Sequence, residues 1–269
     1  MSLTYEPAST VRPGPKAGAK AKPRTKTPGS RRAESVFITA YLTVLIAIIF
    51  IGFSPSFYLR GVVEPAAPLA PLRIETIVHA ALASVFMIAF PLQGFLAARR
   101  RMKAHIRIGR WAFVLGAVLV PIGYVAGAGA YHAVRPVPVP REMMEAFVSL
   151  PLFGSAALAL ALWLGWRSRL DGATHKRLIV TLACMMADPA IFRLPIWTMG
   201  PEGLVFIQAV MLATLAPLWI WDLATLRRIH KGTLIGSAVF AGEVVLRTLI
   251  MPTEGWTALV HALPLYGAP

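Results

Sequence analysis

Five ionisable side chains stand inside runs of residues apolar enough to lie in lipid: Asp188, Arg193, Asp222, Glu243 and Arg247. A charge held in a bilayer costs at least a few kcal/mol, so each marks either a site of function or a buried pair. Glu243 and Arg247 are four apart, on one helical face and in the order that favours an ion pair. Asp188 and Arg193 are five apart, about 140° around an ideal helix. Pro189 between them removes a helix hydrogen bond and allows a kink. Two of these groups recur at matched depth behind a histidine. His175 is followed by Asp188 at +13 and Arg193 at +18, and His230 by Glu243 at +13 and Arg247 at +17. At 1.5 Å per residue each acid lies about 20 Å beyond its histidine and each arginine about 26 Å. The pattern predicts that the two helices pack together and cross-pair Asp188 with Arg247 or Arg193 with Glu243. Such a cluster either binds a ligand, substrate or proton, or serves only to fix helix packing. Gln93, two residues after Pro91, is a further polar group in an apolar run, suited to an interhelical hydrogen bond.

The histidines sort by position. His105, His175 and His230 stand where helices start, while His79 lies about a turn into the second apolar run, His132 ends the third and His261 is near the C-terminus. Imidazoles on two opposite sides are what a bundle holding haem b needs, because axial ligation takes paired imidazoles from facing helices. His79 is then the outer-side ligand, and His105, His175 or His230 the inner-side ligands. Three inner imidazoles also have the chemistry of a divalent metal site. Each, however, has Lys or Arg within two residues, which disfavours a cation and suits anionic headgroups or phosphate, so no metal site is assigned. The chain carries no nucleotide-binding glycine loop, no HExxH, no CxxC and no GxSxG, and no catalytic residue is assigned.

The elements that must position these groups are membrane helices. Of 269 residues 57% are hydrophobic and 14% charged, with mean hydropathy +0.64, more apolar surface than a water-soluble domain can cover. Runs long enough to span about 30 Å of hydrocarbon occur near 36–54, 75–98, 111–131, 145–166, 178–199, 203–225 and 232–251. The expected fold is therefore all-α, a polytopic transmembrane bundle of about seven helices. The basic excess of 27 Lys and Arg over 12 Asp and Glu is distributed as a topology signal rather than a nucleic-acid face. The N-terminal tail and the segments 99–110, 167–177 and 226–231 hold 21 of the 27 basic residues, and the intervening segments hold Arg60, Arg73, Arg135 and Arg141. This predicts a cytoplasmic N-terminus and a periplasmic C-terminus in a bacterial inner membrane. Residues 1–34, rich in Pro, Gly, Ala, Lys and Arg, are expected to be a disordered cytoplasmic tail that touches anionic headgroups rather than a cleaved signal peptide. Residues 35–252 form the membrane domain and 253–269 a short periplasmic segment. The Pro-rich segments 55–74 and 132–144 are expected to be irregular connectors. Cys184 is the one cysteine, so the chain has no internal disulfide.

The segments GFSPSFYLR, HIRIGRW, THKRLIVTLACMMADPAIFR, WDLATLRRIHKGTLIG and LRTLIMPTEGW, with His79 and Gln93, resemble a widespread group of uncharacterised bacterial multi-pass membrane proteins. The resemblance covers most of 36–262 and is carried by His79, Gln93, His105, Gly109, His175, Arg177, Pro189, Arg193, Asp222, His230, Arg247 and Trp256. That group usually has an adjacent His-Arg pair before the third helix, whereas here Ile106 separates His105 from Arg107. The resemblance implies topology and residue choice, not an activity.

Three functions remain open on sequence. The first is haem-b-binding transmembrane electron transfer through the histidines. The second is a small-molecule or proton-coupled transporter built on Asp188, Arg193, Glu243 and Arg247, with Gln93 and Asp222. The third is a non-catalytic scaffold or accessory subunit. The expected partners are the lipid bilayer and anionic lipid headgroups at the cytoplasmic face; no nucleic acid is expected, and the sequence names no protein partner.

Overall fold

A computed structural model describes residues 28–64, 69, 71–134, 141–198 and 204–267. The expected tail therefore lies outside the described residues over 1–27, as do parts of both Pro-rich connectors.

The chain is a helical bundle of α1 (Pro28–Phe53), α2 (Ile74–Ala98), α3 (Met102–Val134), α4 (Arg141–Arg167), α5 (Gly172–Thr198), α6 (Leu204–Ala213), α7 (Ala216–Leu226), α8 (Lys231–Ile250) and α9 (Glu254–Ala262). Prolines explain its irregularities. Pro55 has no N–H to give to the helix ladder, and the backbone passes into a π-turn at Ser54–Tyr58, closed by Leu59 N donating to Ser54 O at 2.7 Å. The sixth span is broken at Thr214 and Leu215, just ahead of Pro217, which separates α6 from α7.

Among the described residues, six helical stretches are long and apolar enough to cross a membrane: Arg32–Tyr58, Ile74–Ala98, Met102–Ala133, Val148–Arg167, Phe206–Leu226 and Lys231–Ile250. The protein is thus a multi-pass membrane-spanning bundle. Its outward side chains, such as Trp111, Ile220 and Leu249, are apolar and exposed, as a lipid-facing surface requires. The remaining long helix, α5, carries Lys176, Arg177, Asp188 and Arg193. It can do so because α1, α4, α6 and α8 sheathe it. Val180, Cys184, Ala187 and Ala190 on α5 are fully buried.

Lipid offers no hydrophobic drive for helices to associate, so close packing depends on small residues. A Cβ at Gly52 of α1 would stand 2.5 Å from the Ala190 carbonyl oxygen, and one at Gly236 of α8 would stand 2.1 Å from Thr181 Oγ1. These two contacts bring α1 and α8 onto opposite stretches of α5. At the C-terminus, α9 and the turn after it fold back on α3 and α4. Trp256, Val260 and Tyr266 pack with Ala128, Tyr131 and Val148.

Candidate functional site

One end of the bundle collects the start of α1, the α2–α3 turn, the α4–α5 turn and the α7–α8 turn, and so most of the described basic residues. Here Arg177, on the first turns of α5, reaches across to α7. Its Nε donates to Asp222 Oδ1 at 2.9 Å and its Nη2 to the same oxygen at 2.5 Å, while Nη1 donates to Ala173 O and lies 3.2 Å from Glu34 Oε1. Asp222 Oδ2 accepts from Thr233 Oγ1 at 2.6 Å and from the His230 backbone N–H at 3.0 Å. Lys176 pairs with Glu34. Arg177, Asp222, Glu34 and Thr233 are at most 2% exposed. The network therefore ties α1, α5, α7 and α8 together at one level. Buried charges survive only when each is paired and hydrogen-bonded, and these are. Asp222 thus has a place in a polar cluster, but in this network rather than beside Asp188.

Two turns at this end are set by capping. Asp171 accepts from the backbone N–H groups of Ala173 and Thr174 and from the Thr174 hydroxyl at the start of α5, and Lys231 lies 3.3 Å from its other side. The Thr174 hydroxyl, aided by Lys231, holds the Asp171 carboxyl down to about 2. His230 caps α8, its Nδ1 accepting from Gly232 N–H at 3.0 Å. Burial, reinforced by the neighbouring Arg177 charge, lowers the His230 pKa.

Beside this network lies a cavity between α1, α2, α3, α4 and α5. It is lined by apolar and small residues, among them Leu42, Phe86, Phe90, Gly94, Gly109 and Phe113, and by five polar side chains: Ser35, Gln93, His105, His175 and Lys176. The cavity has a volume of about 130 Å³. His175 Nδ1 is 2.9 Å from Gly165 O, and the Phe113 ring centre is 6.3 Å from that of the imidazole. His105 Nδ1 is 3.3 Å from the Gln93 main-chain oxygen. The Gln93 side-chain amide sits against the same histidine. Oriented to satisfy its neighbours, it donates to His105 O at 3.0 Å and to His105 Nδ1 at 2.6 Å and accepts from Gly109 N–H at 2.9 Å. Gln93 is thus an interhelical hydrogen-bonding group between α2 and α3.

Farther along the bundle, Arg247 Nη2 donates to Asp188 Oδ2 at 3.0 Å, and Arg247 Nε lies 3.6 Å from Glu243 Oε1. All three are at most 8% exposed. Arg193 does not join them. Its guanidinium lies over the Phe53 ring, 4.4 Å from the centroid, and Nη1 donates to Pro189 O at 2.6 Å. Glu243 is held a turn before Arg247 on α8, so that arginine, rather than Arg193, takes its charge.

His79 stands apart from the other proposed ligands. Along α2 it is fourteen residues, about 21 Å, from Gln93. Its ring lies beside Gly123 of α3, next to Ser155 of α4. His132 and His261 serve the C-terminal fold: His132 Nε2 is 2.7 Å from Leu265 O, and His261 Nε2 is 3.0 Å from Glu145 Oε1. Among the described residues no three His, Cys, Asp or Glu side chains converge as a metal site would require.

Sequence reasoning assigned no site to Glu34, Lys176 and Glu145, and placed Arg177 only by resemblance. Glu34 was grouped with the tail and Lys176 and Arg177 with the topology charges of a loop. The available signal was an acid abutting the first apolar run, opposite a helix start carrying two adjacent cations. Comparison of the chain with protein families, with curated proteins and with solved structures gives no significant match, so the resemblance drawn above rests on its quoted segments alone.

Proposed function

We propose that this multi-pass membrane protein binds haem b in the cavity at its basic end and passes electrons through it, with His105 and His175 as the axial ligands. The observation that carries this reading is that two imidazoles from different helices line one mostly apolar cavity, each with Nδ1 against a main-chain carbonyl. A ligating histidine is oriented in this way by an Nδ1–H donated to a carbonyl, which leaves the Nε2 lone pair for iron. For His175 the Gly165 carbonyl supplies that partner. For His105 the ligating tautomer carries Nδ1–H, so the Gln93 amide, which in its satisfied orientation donates to that nitrogen at 2.6 Å, has to turn its oxygen toward it when iron binds. Phe86, Phe90 and Phe113 in the lining are flat apolar groups suited to a macrocycle. Lys176 also lines the cavity, its charge paired with Glu34.

In this reading the basic end is the cytoplasmic side of a bacterial inner membrane, by the positive-inside distribution of charge. His230, committed to capping α8, and His79, at the far end of α2, are not ligands of this haem.

The test is the visible spectrum of protein purified after haem-supplemented expression, before and after dithionite. The expected result is a Soret band and a sharp reduced α band of a six-coordinate haem, lost or converted to a five-coordinate spectrum in His105→Ala and in His175→Ala. Wild-type protein without these bands, or bands unchanged in both variants, would remove the proposal.

A further inference from the structure

At the end of the bundle away from the basic turns, one cation lacks an acid. Arg193 has the Phe53 ring and the Pro189 carbonyl as neighbours, and among the described residues no carboxylate lies within ion-pair distance of it. The aromatic face and one carbonyl occupy only part of a guanidinium that presents five N–H donors in a fixed fork. His79 lies close enough to Arg193 to feel its charge, and the His79 Nδ1 is buried with no hydrogen-bond partner among the described residues. An orphaned buried ring nitrogen is uncommon in a folded protein and calls for an explanation. Both residues are only partly buried. Gly123 of α3 packs closely on the His79 ring: a Cβ there would stand 3.5 Å from His79 Cε1 and 3.3 Å from Ser155 Oγ. On the far side of Arg193, the Phe53 ring sits just ahead of the π-turn at Ser54–Tyr58, a backbone distortion that recurs at functional sites.

We infer that Arg193 and His79 form an anion site, taking the carboxylate or phosphate group of a ligand that enters from the end opposite the basic turns. The guanidinium fork supplies charge and two parallel donors, the geometry that recognises such groups. His79 supplies a third hydrogen bond from the α2 side, and the Ser155 hydroxyl stands next to it. This site is distinct from the haem cavity: along α2, His79 stands seven residues, about 10 Å, from Phe86 in the cavity lining.

The test uses the full chain in a neutral detergent, following thermal unfolding while sodium phosphate or sodium acetate is added against sodium chloride at matched ionic strength. A parallel series adds phosphatidylglycerol or phosphatidylcholine to the micelles. Binding at ten times Kd is expected to raise Tm by roughly 3–6 °C. A rise with phosphate or acetate identifies a free anion, and a rise with phosphatidylglycerol but neither free anion identifies a lipid phosphate headgroup. In either case Arg193→Gln is expected to abolish the rise and Arg193→Lys to retain part of it. His79→Phe, which keeps a ring in place, is expected to weaken binding about tenfold, guarding against misreading a variant that folds poorly. Wild-type protein that responds to none of the four probes more than to chloride, or an equal response in Arg193→Gln, would overturn the inference.

Discussion

Arg177 Nε and Nη2 both donate to Asp222 Oδ1, with Nε also reaching Oδ2 at 3.3 Å, and Oδ2 in turn holds the start of α8 through Thr233 and the His230 N–H. One carboxylate therefore joins α5, α7 and α8, and Glu34 brings in α1 from the other side of the arginine. Removing it leaves a buried guanidinium and two unsatisfied donors. Breaking a buried pair in this way costs about 3–5 kcal/mol. Glu34 stays beside Arg177, so Asp222→Ala is expected near the lower figure, a fall in Tm of roughly 6–12 °C. Arg177→Leu combined with Asp222→Ala should be less than additive, since neither of the paired charges then remains. Thermal unfolding in detergent measures both, and additive losses would show that the pair is not the joint described.

The Arg247 triad predicts unequal roles for its acids. Asp188 is the direct hydrogen-bond partner at 3.0 Å, while Glu243 is at 3.6 Å on the arginine's own helix. Asp188→Asn should therefore destabilise by about 2–3 kcal/mol and Glu243→Gln by less than about 1 kcal/mol. The exchange Asp188→Arg with Arg247→Asp should recover part of the loss of either single change. Equal effects of the two acid substitutions, read from unfolding midpoints, would contradict the geometry.

These pairs show what a sequence can carry. The depth of Asp188 and of Arg247 was legible, because a helix converts residue count into height, and equal heights on neighbouring helices allow contact. Which neighbour takes which charge was not. Arg193 stands as near in height as Arg247, but lateral position, set by Gly52 and Gly236 packing on α5, directs it to Phe53. Arg177 and Glu34 were hidden for a different reason: a charge at a helix end looks the same whether it faces water or a third helix. The run at 178–199 was legible as α5, although its charges are tolerated only because α1, α4, α6 and α8 sheathe it. Apolar length made the other helices plain, whereas the α6–α7 break needed the signal of Pro217 and did not receive it. The histidines at helix starts were visible as a class, but only packing brings His105 and His175, and not His230, to one cavity.

The two caps at the basic end predict a pH response. Both Asp171 and His230 have folded pKa values below their ordinary ones. A lowered folded pKa means that the group's contribution is full above the unfolded pKa and is lost as pH falls through the folded one. For His230 the physical step is protonation of Nδ1, which then cannot accept from Gly232 N–H. Stability should therefore fall as pH drops below about 6.5 and fall further between about pH 4 and pH 2 as Asp171 is protonated. His230→Asn, a good cap that does not titrate, should flatten the first step and leave the second. Asp171→Asn should do the reverse. Unfolding temperatures across pH measure both, and a first step that survives His230→Asn would assign it elsewhere.

Gln93 offers a test of the haem reading that does not touch a ligand. Its main-chain oxygen and side-chain amide both sit against His105 Nδ1, and its amide also meets Gly109 N–H. If His105 binds iron, the side chain is the part of this support that substitution can remove, and loss of such an outer partner weakens binding about 10–100-fold. Gln93→Leu keeps the bulk of the side chain and its apolar surroundings, so the bundle should remain folded. The expected outcome is lower haem occupancy at limiting haem, with an altered midpoint potential for the fraction that loads. A purely structural role for Gln93 would lower Tm without moving the potential. An unchanged potential and full loading in Gln93→Leu would argue that iron, if bound at all, is not held by His105.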